Sequence, residues 1–175
     1  FIDARSGGQA RLLGNNPDVD FDGLNRMGDD GTGNGMIFDK GFAPDMWLSV
    51  TGGNDPYELY ASYGELRTDG DGFGEFLGQG SYGEEGQIAS FNGMIIAIDN
   101  SNIGGVNGDL GVGCGQDVIT GIEIAIPAYL FDWDFEGIDI SSFSVTGFIN
   151  SSDHGFVSNQ VTGGVFGASN LGEPR

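Results

Sequence analysis

The sequence predicts an all-β protein, an antiparallel β-sandwich of jelly-roll-like type with long loops rich in Gly, Asn and Asp. Three observations predict this fold class. Apolar and aromatic residues alternate over short stretches, glycine-rich runs separate those stretches, and helical periodicity is almost absent. The composition of 34 glycines, 13 phenylalanines and 18% charged residues also disfavours helices.

The predicted strands are short stretches bounded by turn residues. MWLSV follows Asp45 and precedes the turn segment GGND, MIIAID is apolar up to Asp99, and the others are rich in aromatic or β-branched residues. No linker or change of composition divides the chain, so residues 1–175 are expected to form a single domain. The predicted strands are 1–3, 46–50, 57–66, 94–99, 118–127 and 143–150.

The strand 118–127 shows the clearest alternation. Ile122, Ile124 and Ile126 occupy every second position, and Glu123 lies between two of them. Successive side chains of a strand point to opposite faces. We therefore expect the isoleucines to point into the core and Glu123 to face outward, and Pro127 to end the strand.

The net charge of the chain limits the kinds of partner that it can bind. The chain has 26 acidic and six basic residues, a net charge of -20. Such a charge repels nucleic acid and anionic membrane surfaces, and no apolar run reaches the roughly 18 residues of a membrane helix. Repulsion between carboxylates would also oppose compaction, which favours neutralisation by a divalent cation such as calcium.

The segment DVDFDG has the spacing of a calcium-binding loop. Asp18, Asp20 and Asp22 alternate and precede Gly23, and Asp29 is the twelfth residue of a loop that begins at Asp18. Residues that disfavour helices flank the loop, so a calcium loop between strands is predicted rather than an EF-hand. The alternative is a solvated acidic turn.

A second acidic segment, DWDFEGID, offers another possible metal cluster. Asp132, Asp134 and Glu136 alternate with aromatic residues that include Trp133. In an extended chain the aromatic side chains would lie on the face opposite the carboxylates. Two interpretations of the aromatic face stay open, a part of the core or a platform on which sugar rings pack.

Little in the sequence points to catalysis. His154 is the only histidine, and the chain lacks both a serine nucleophile elbow and a phosphate-binding loop. The single cysteine, Cys114, excludes an internal disulfide. We therefore expect a protein that is not an enzyme, with Asn150 as a possible glycan attachment site in the sequon Asn150-Ser151-Ser152.

The two ends suggest assembly. Phe1 and Ile2 open the chain in what reads as the middle of a strand, and the C-terminal end has no terminating signal. The sandwich is therefore predicted to lack a strand at each end, and an unpaired sheet edge attracts another strand. We expect Phe1 and Ile2 to pair with a neighbouring copy of the chain.

Several segments, taken in order, carry a family resemblance. They are GGQARLLGNNPDVDFDGLNRMGDDGTG, GFAPDMWLSVTGG, AIDNSNIGGV, TGIEIAIP, FINSSDHGFVSNQVTGG and NLGEPR. Together they resemble a group of uncharacterised secreted, surface-anchored bacterial proteins of planctomycete type. The resemblance implies one strand before FID and another after NLGEPR, and a strand order like that of sugar-binding sandwich modules. The segment YLFDWDFEGIDISS departs from the group, so no role of its acids is inherited.

Two functional hypotheses follow from these observations. The first is a structural protein outside the cell or on its surface. It would be a calcium-stabilised subunit of a filament, sheath or surface layer that associates with copies of itself by strand complementation. The alternative is a carbohydrate-binding module for a polysaccharide, suggested by Trp47, Trp133 and five tyrosines on a sandwich.

Overall fold

The computed structural model describes residues 1–53, 58–81, 87–89, 93–99, 121–130, 143–152 and 155–162. Strands dominate this part of the chain, and its helices are α1 (Gly23–Arg26) and a 3-10 helix at Ala128–Leu130. The prediction of an all-β protein is confirmed. The strands are β1 (Ile2–Asp3), β2 (Met46–Gly53), β3 (Glu58–Glu65), β4 (Gly74–Ser81), β5 (Gln87–Ala89), β6 (Ile95–Asp99), β7 (Gly121–Ala125), β8 (Ser144–Val145), β9 (Phe148–Asn150) and β10 (Val157–Val161).

The described strands form three sheets. The largest has the order β4-β3-β2-β1-β8, a second has the order β5-β6-β7, and β9 pairs with β10. Neighbouring strands in these sheets run antiparallel. The finer prediction, a jelly-roll-like sandwich, stays a prediction. No helix in the described ranges is long and apolar enough to cross a membrane.

One face of the five-stranded sheet packs on the three-stranded sheet. Leu59, Tyr63 and Leu77 project from β3 and β4 and share a buried cluster with Met94 and Ile96 from the second sheet. Alternation explains this arrangement, because every second residue of a strand points to the same side. Fully burying one such side chain stabilises the fold by about 1.5 to 3 kcal/mol.

The other face of the same sheet is covered at one end only. Trp47, Leu24 and Met27 belong to a second buried cluster that joins the start of β2 to α1. Trp47 stands opposite Gly64, where an added Cβ would lie 3.5 Å from the indole ring. Trp47 is buried, so it cannot act as the sugar platform that the sequence suggested for it.

Phe1 and Ile2 lie within the sheet of their own chain. Ile2 pairs with Met46 on one side and with Val145 on the other. The Phe1 nitrogen donates to the Thr146 carbonyl at 2.9 Å, and the Thr146 N–H returns a bond to the Phe1 carbonyl at 3.0 Å. The expectation of an unpaired edge at this segment is wrong, because strands distant in sequence supply both partners.

The orientation predicted for the isoleucines of β7 is also wrong. Ile122 is half exposed and Ile124 is 38% exposed, and Glu123 between them is exposed as well. Only Ile126, beyond the end of the strand, packs against the main cluster. β7 is the outer strand of its sheet among the described strands. An antiparallel sheet can leave a face in contact with water, so the alternation of residues along β7 does not ensure that the isoleucines are buried.

Strand β4 was not predicted, because its sequence GEFLGQGS is rich in glycine. Its register with β3 shifts between Ala61 and Ser62, and Gly78 at φ 134° lies at that β-bulge. Its first residue, Gly74, lies under the loop before α1. Here glycine permits contacts that a larger residue would prevent, so low strand propensity does not exclude a strand.

Candidate functional site

A cleft lies on the part of the five-stranded sheet that no described segment covers, and we call it the polar cleft. Its volume is about 860 Å³, inside the range of about 300 to 1,000 Å³ typical of small-molecule sites. Its floor consists of side chains from β2, β3 and β4, and one wall is formed by residues 18–21 of the acidic loop, which is defined as residues 17–22. Ser152 stands at its rim.

The floor of the polar cleft follows from strand register. Ser49 of β2 pairs with Ser62 of β3, and Thr51 pairs with Tyr60 one step further along the same face. Phe76 of β4 stands beside Ser62 and is 53% exposed. The alternate residues of these strands point into the main cluster, so the floor displays hydroxyl groups and aromatic rings on a rigid sheet.

Tyr60 is held in place by its neighbours. Its hydroxyl donates to one carboxylate oxygen of Glu58, and the side-chain amide of Gln79 donates to the other at 2.8 Å. These bonds limit the rotation of the Tyr60 ring before any ligand arrives. A ligand that packs on a preorganised ring loses less conformational entropy on binding.

The acidic loop turns tightly into α1. Asp18 Oδ1 accepts a hydrogen bond from the Asp22 N–H at 2.6 Å, and Asp20 Oδ1 accepts one from the Leu24 N–H at 3.2 Å. Phe21 and Asp22 have left-handed backbone angles, with φ of 57° and 65°. A left-handed Phe is strained. Its ring is 97% exposed at the wall of the polar cleft, which marks Phe21 as a candidate contact residue.

The acidic loop is attached directly to the sheet. Ser62 Oγ donates to the Val19 carbonyl at 3.0 Å. A Cβ added at Gly74 would lie 2.4 Å from Pro17 Cβ and 2.8 Å from Val19 Cγ1, so the loop rests on the backbone of β4. The absence of a side chain at Gly74 therefore sets the position of this wall.

Buried amide side chains support the acidic loop from the other side. Asn25 Oδ1 accepts from the Asn16 N–H at 2.7 Å, and Asn25 Nδ2 returns a bond to the Asn16 carbonyl at 2.9 Å. Asn16 Nδ2 donates to the Leu13 carbonyl at 2.6 Å, and Gln9 Nε2 donates to Asn16 Oδ1 at 2.7 Å. These bonds satisfy backbone groups that regular structure would otherwise pair, which keeps an irregular segment ordered.

Three of the four aspartates proposed as calcium ligands, Asp18, Asp20 and Asp29, accept backbone hydrogen bonds in local turns. Asp29 Oδ1 accepts from the N–H groups of Gly31 and Gly33 at 2.8 and 2.9 Å, and its other oxygen lies 3.7 Å from an Arg11 guanidinium nitrogen. Within the described ranges, no three His, Cys, Asp or Glu side chains form a group suited to a metal ion. Asp18, Asp20, Asp22 and Asp29 thus do not form a ready ligand shell, and calcium binding stays a prediction.

The remaining predicted positions lie elsewhere. Asp132, Asp134, Glu136 and Trp133 fall outside the described residues. Asn150 ends β9, is half-buried and pairs with Val157 of β10. Its use as a glycan attachment site stays a prediction.

A second cavity, the apolar groove, has a volume of about 510 Å³. Ile122 and Ile124 of β7 line it together with Val145 and Ile149. No charged side chain lines it among the residues that the structure describes. It therefore offers no described carboxylate to orient a ligand, whereas Asp18 and Asp20 line the polar cleft, which makes the polar cleft the stronger candidate for specific recognition.

A third cavity, of about 340 Å³, is bordered by paired charges. Asp45 is buried, accepts the N–H groups of Ala4 and Arg5 at 2.8 and 3.0 Å, and lies 3.5 Å from the Arg5 guanidinium. Burial raises the pKa of Asp45, and those hydrogen bonds oppose the rise. Glu65 is likewise paired with Arg67 at 2.8 Å. These charges neutralise one another and join chain segments, which is a structural role.

Sequence reasoning missed most of the polar cleft. The sequence pattern predicted calcium binding by Asp18 and Asp20. It did not indicate that the serine, threonine and phenylalanine side chains of the floor form a site. A signal for the floor does exist in the sequence, because LSVT and LYAS alternate apolar with polar or aromatic residues. What the sequence does not reveal is which stretch of the polar face stays uncovered.

Comparison of the chain with protein-family models, with curated proteins and with solved structures found no match. The resemblance to secreted bacterial proteins therefore stays an expectation. The function is argued below from the polar cleft.

Proposed function

We propose that the protein is a carbohydrate-binding module and that the polar cleft is its binding site. One observation carries the proposal. A single cleft of about 860 Å³ combines carboxylates, hydroxyl groups and exposed aromatic rings on the face of a β-sheet. An extracellular or cell-surface location, which the sequence favours, agrees with a polysaccharide ligand.

The chemistry of the polar cleft matches that of a sugar. A sugar ring presents hydroxyl groups at its edge and C–H groups on its faces. Carboxylates and the hydroxyls of Ser49, Thr51 and Ser62 provide acceptors and donors for the ring edge. Phe76 and Phe21 provide apolar surfaces against which the C–H face packs.

Binding without turnover is part of the proposal. We expect the protein not to be an enzyme, so a bound polysaccharide stays intact. Incubation of the protein with its polysaccharide should release no reducing ends. Measurable release would contradict this part of the proposal and would point to the carboxylates of the cleft as a hydrolytic pair.

The experiment is affinity gel electrophoresis in gels that contain a soluble polysaccharide. The probes are hydroxyethyl cellulose, glycol chitin, xylan, polygalacturonate and chitosan, each compared with a gel without polysaccharide. At least one probe should retard the chain. Phe76→Ala should weaken that retardation about tenfold, since aromatic contacts contribute strongly to binding.

Phe73→Ala is the matched control. Phe73 is 52% exposed, close to the 53% of Phe76, but it packs near Tyr63 and does not line the polar cleft. Phe73→Ala should leave retardation unchanged. Equal effects of the two variants, or retardation by none of the probes, would refute the proposal.

Self-association is the second candidate function. The observation that favours it is the exposure of large apolar side chains that border one cavity, namely Ile122, Val145 and Ile149. Exposed apolar side chains that cluster on a surface are typical of contact with another protein. Sedimentation velocity with calcium and with chelator tests it, and a single monomeric species in both conditions would reject it.

A further inference from the structure

We infer that the polysaccharide recognised by the polar cleft carries protonated amino groups, and that Asp18 is the residue that selects for them. The inference rests on the proposed function, and it adds the chemical class of the ligand. It follows from the charges that surround the aromatic and hydroxyl-bearing floor.

The charged side chains that line the polar cleft have one sign. Asp18 and Asp20 belong to its wall, and none of its described lining residues is Lys, Arg or His. Three of the six basic residues, Arg5, Arg11 and Arg67, form ion pairs with carboxylates that do not line the cleft. The cleft therefore has a negative potential, and the net charge of -20 strengthens it.

This potential separates three kinds of polysaccharide. A uronic acid brings a second negative charge against the carboxylates and gains no positive partner, so its binding is disfavoured. An acetylated amino sugar is neutral and gains only hydrogen bonds and ring contacts. A free amino sugar brings a positive charge that forms charge-assisted hydrogen bonds with a carboxylate.

Asp18 is better placed for this role than Asp20. Asp18 is exposed, whereas Asp20 is half-buried beneath the turn. The bond from the Asp22 N–H to Asp18 Oδ1 holds the carboxylate in one orientation. A fixed and accessible carboxylate selects a cation at lower entropic cost than a mobile one does.

The test measures affinities by calorimetry for three hexasaccharides of glucosamine, N-acetylglucosamine and galacturonic acid. At low ionic strength, about 0.02 M, the glucosamine oligomer should bind about three- to tenfold more tightly than its acetylated counterpart. The galacturonate oligomer should bind most weakly. The difference should narrow at about 0.3 M salt, because screening weakens exposed ion pairs.

Two variants test whether Asp18 causes the preference for amino sugars. Asp18→Asn keeps an oxygen that accepts the Asp22 N–H but removes the charge, and it should reduce the preference for the amino sugar. Asp22→Asn is the matched control, because Asp22 is exposed, makes no side-chain capping bond and does not line the cleft. Circular dichroism checks that each variant is folded, and the three-ligand comparison on the parent chain stands even if a variant is not.

The outcomes of these measurements distinguish a failure of this inference from a failure of the proposed carbohydrate-binding function. Equal affinity for the two amino-sugar oligomers, or stronger binding of galacturonate, overturns the inference and leaves the carbohydrate-binding proposal intact. Equal effects of Asp18→Asn and Asp22→Asn also overturn it, since they indicate diffuse attraction to an acidic surface. Retardation of the parent chain by none of the polysaccharides refutes the proposed function itself.

Discussion

Gly74→Ala tests how the wall of the polar cleft is positioned. The new Cβ would lie 2.4 Å from Pro17 Cβ and 2.8 Å from Val19 Cγ1. Carbon atoms in contact are normally about 3.5 to 4.0 Å apart, so the acidic loop must move by roughly 1 Å. Pro17 has a rigid ring, and it cannot rotate away as a long side chain would.

The magnitude follows from two opposing effects. Overpacking of this kind destabilises a fold by about 1 to 3 kcal/mol. Replacing Gly by Ala in a strand recovers about 0.5 to 1 kcal/mol through lower entropy of the unfolded chain. We therefore expect a net loss of about 1 to 2 kcal/mol in the free energy of unfolding, together with weaker polysaccharide binding.

Urea unfolding and affinity electrophoresis measure the two effects. Gly147→Ala is the control, because a Cβ at Gly147 would meet only Thr162 Oγ1, at an ordinary 3.6 Å. The control should raise the free energy of unfolding by up to about 1 kcal/mol, because it lowers the entropy of the unfolded chain without a clash. If Gly74→Ala were as stable as Gly147→Ala and bound polysaccharide like the parent, the contact between the acidic loop and β4 would be misassigned.

Three further outcomes are expected. Ile96→Ala, at a fully buried position, should cost about 2 to 5 kcal/mol of stability, whereas Ile124→Ala, at a position that is 38% exposed, should cost less than about 1 kcal/mol; equal losses in urea unfolding would contradict this. Burial raises the pKa of Asp45 in the folded state. Its favourable contribution to the free energy of unfolding is therefore complete below the ordinary pKa of 3.8 and is lost as the pH rises through the higher pKa of the folded state. The stability of the parent relative to Asp45→Asn should then fall with rising pH in that window, and a difference that stays constant or grows would reject the assignment. If calcium binds the acidic loop as the sequence predicts, it should raise the melting temperature and give a heat of binding in calorimetry. No response to either calcium or chelator would contradict that prediction.

The sequence by itself determined where most strands lie. The stretches around Trp47, Tyr60 and Ile96 are rich in aromatic or β-branched residues, and each is a strand in the structure. These signals are local, because side-chain periodicity and turn residues act within a few positions of the chain. For the same reason the all-β class was predictable from composition and pattern.

Only the tertiary structure decided which faces are covered. Ile124 alternates as a core residue does, yet it is exposed because it lies on an outer strand. Phe1 reads as unpaired, yet Thr146, distant in sequence, completes its hydrogen bonds.

The polar cleft likewise depends on contacts between distant segments. Gly74 allows the acidic loop to lie on β4, and Ser62 holds the loop there. The loop and the strands that form the cleft are tens of residues apart in the chain. A pattern within a few positions of the sequence therefore does not indicate that these segments meet. Burial is a property of the packed chain, since a side chain is excluded from water only by the segment that folds over it.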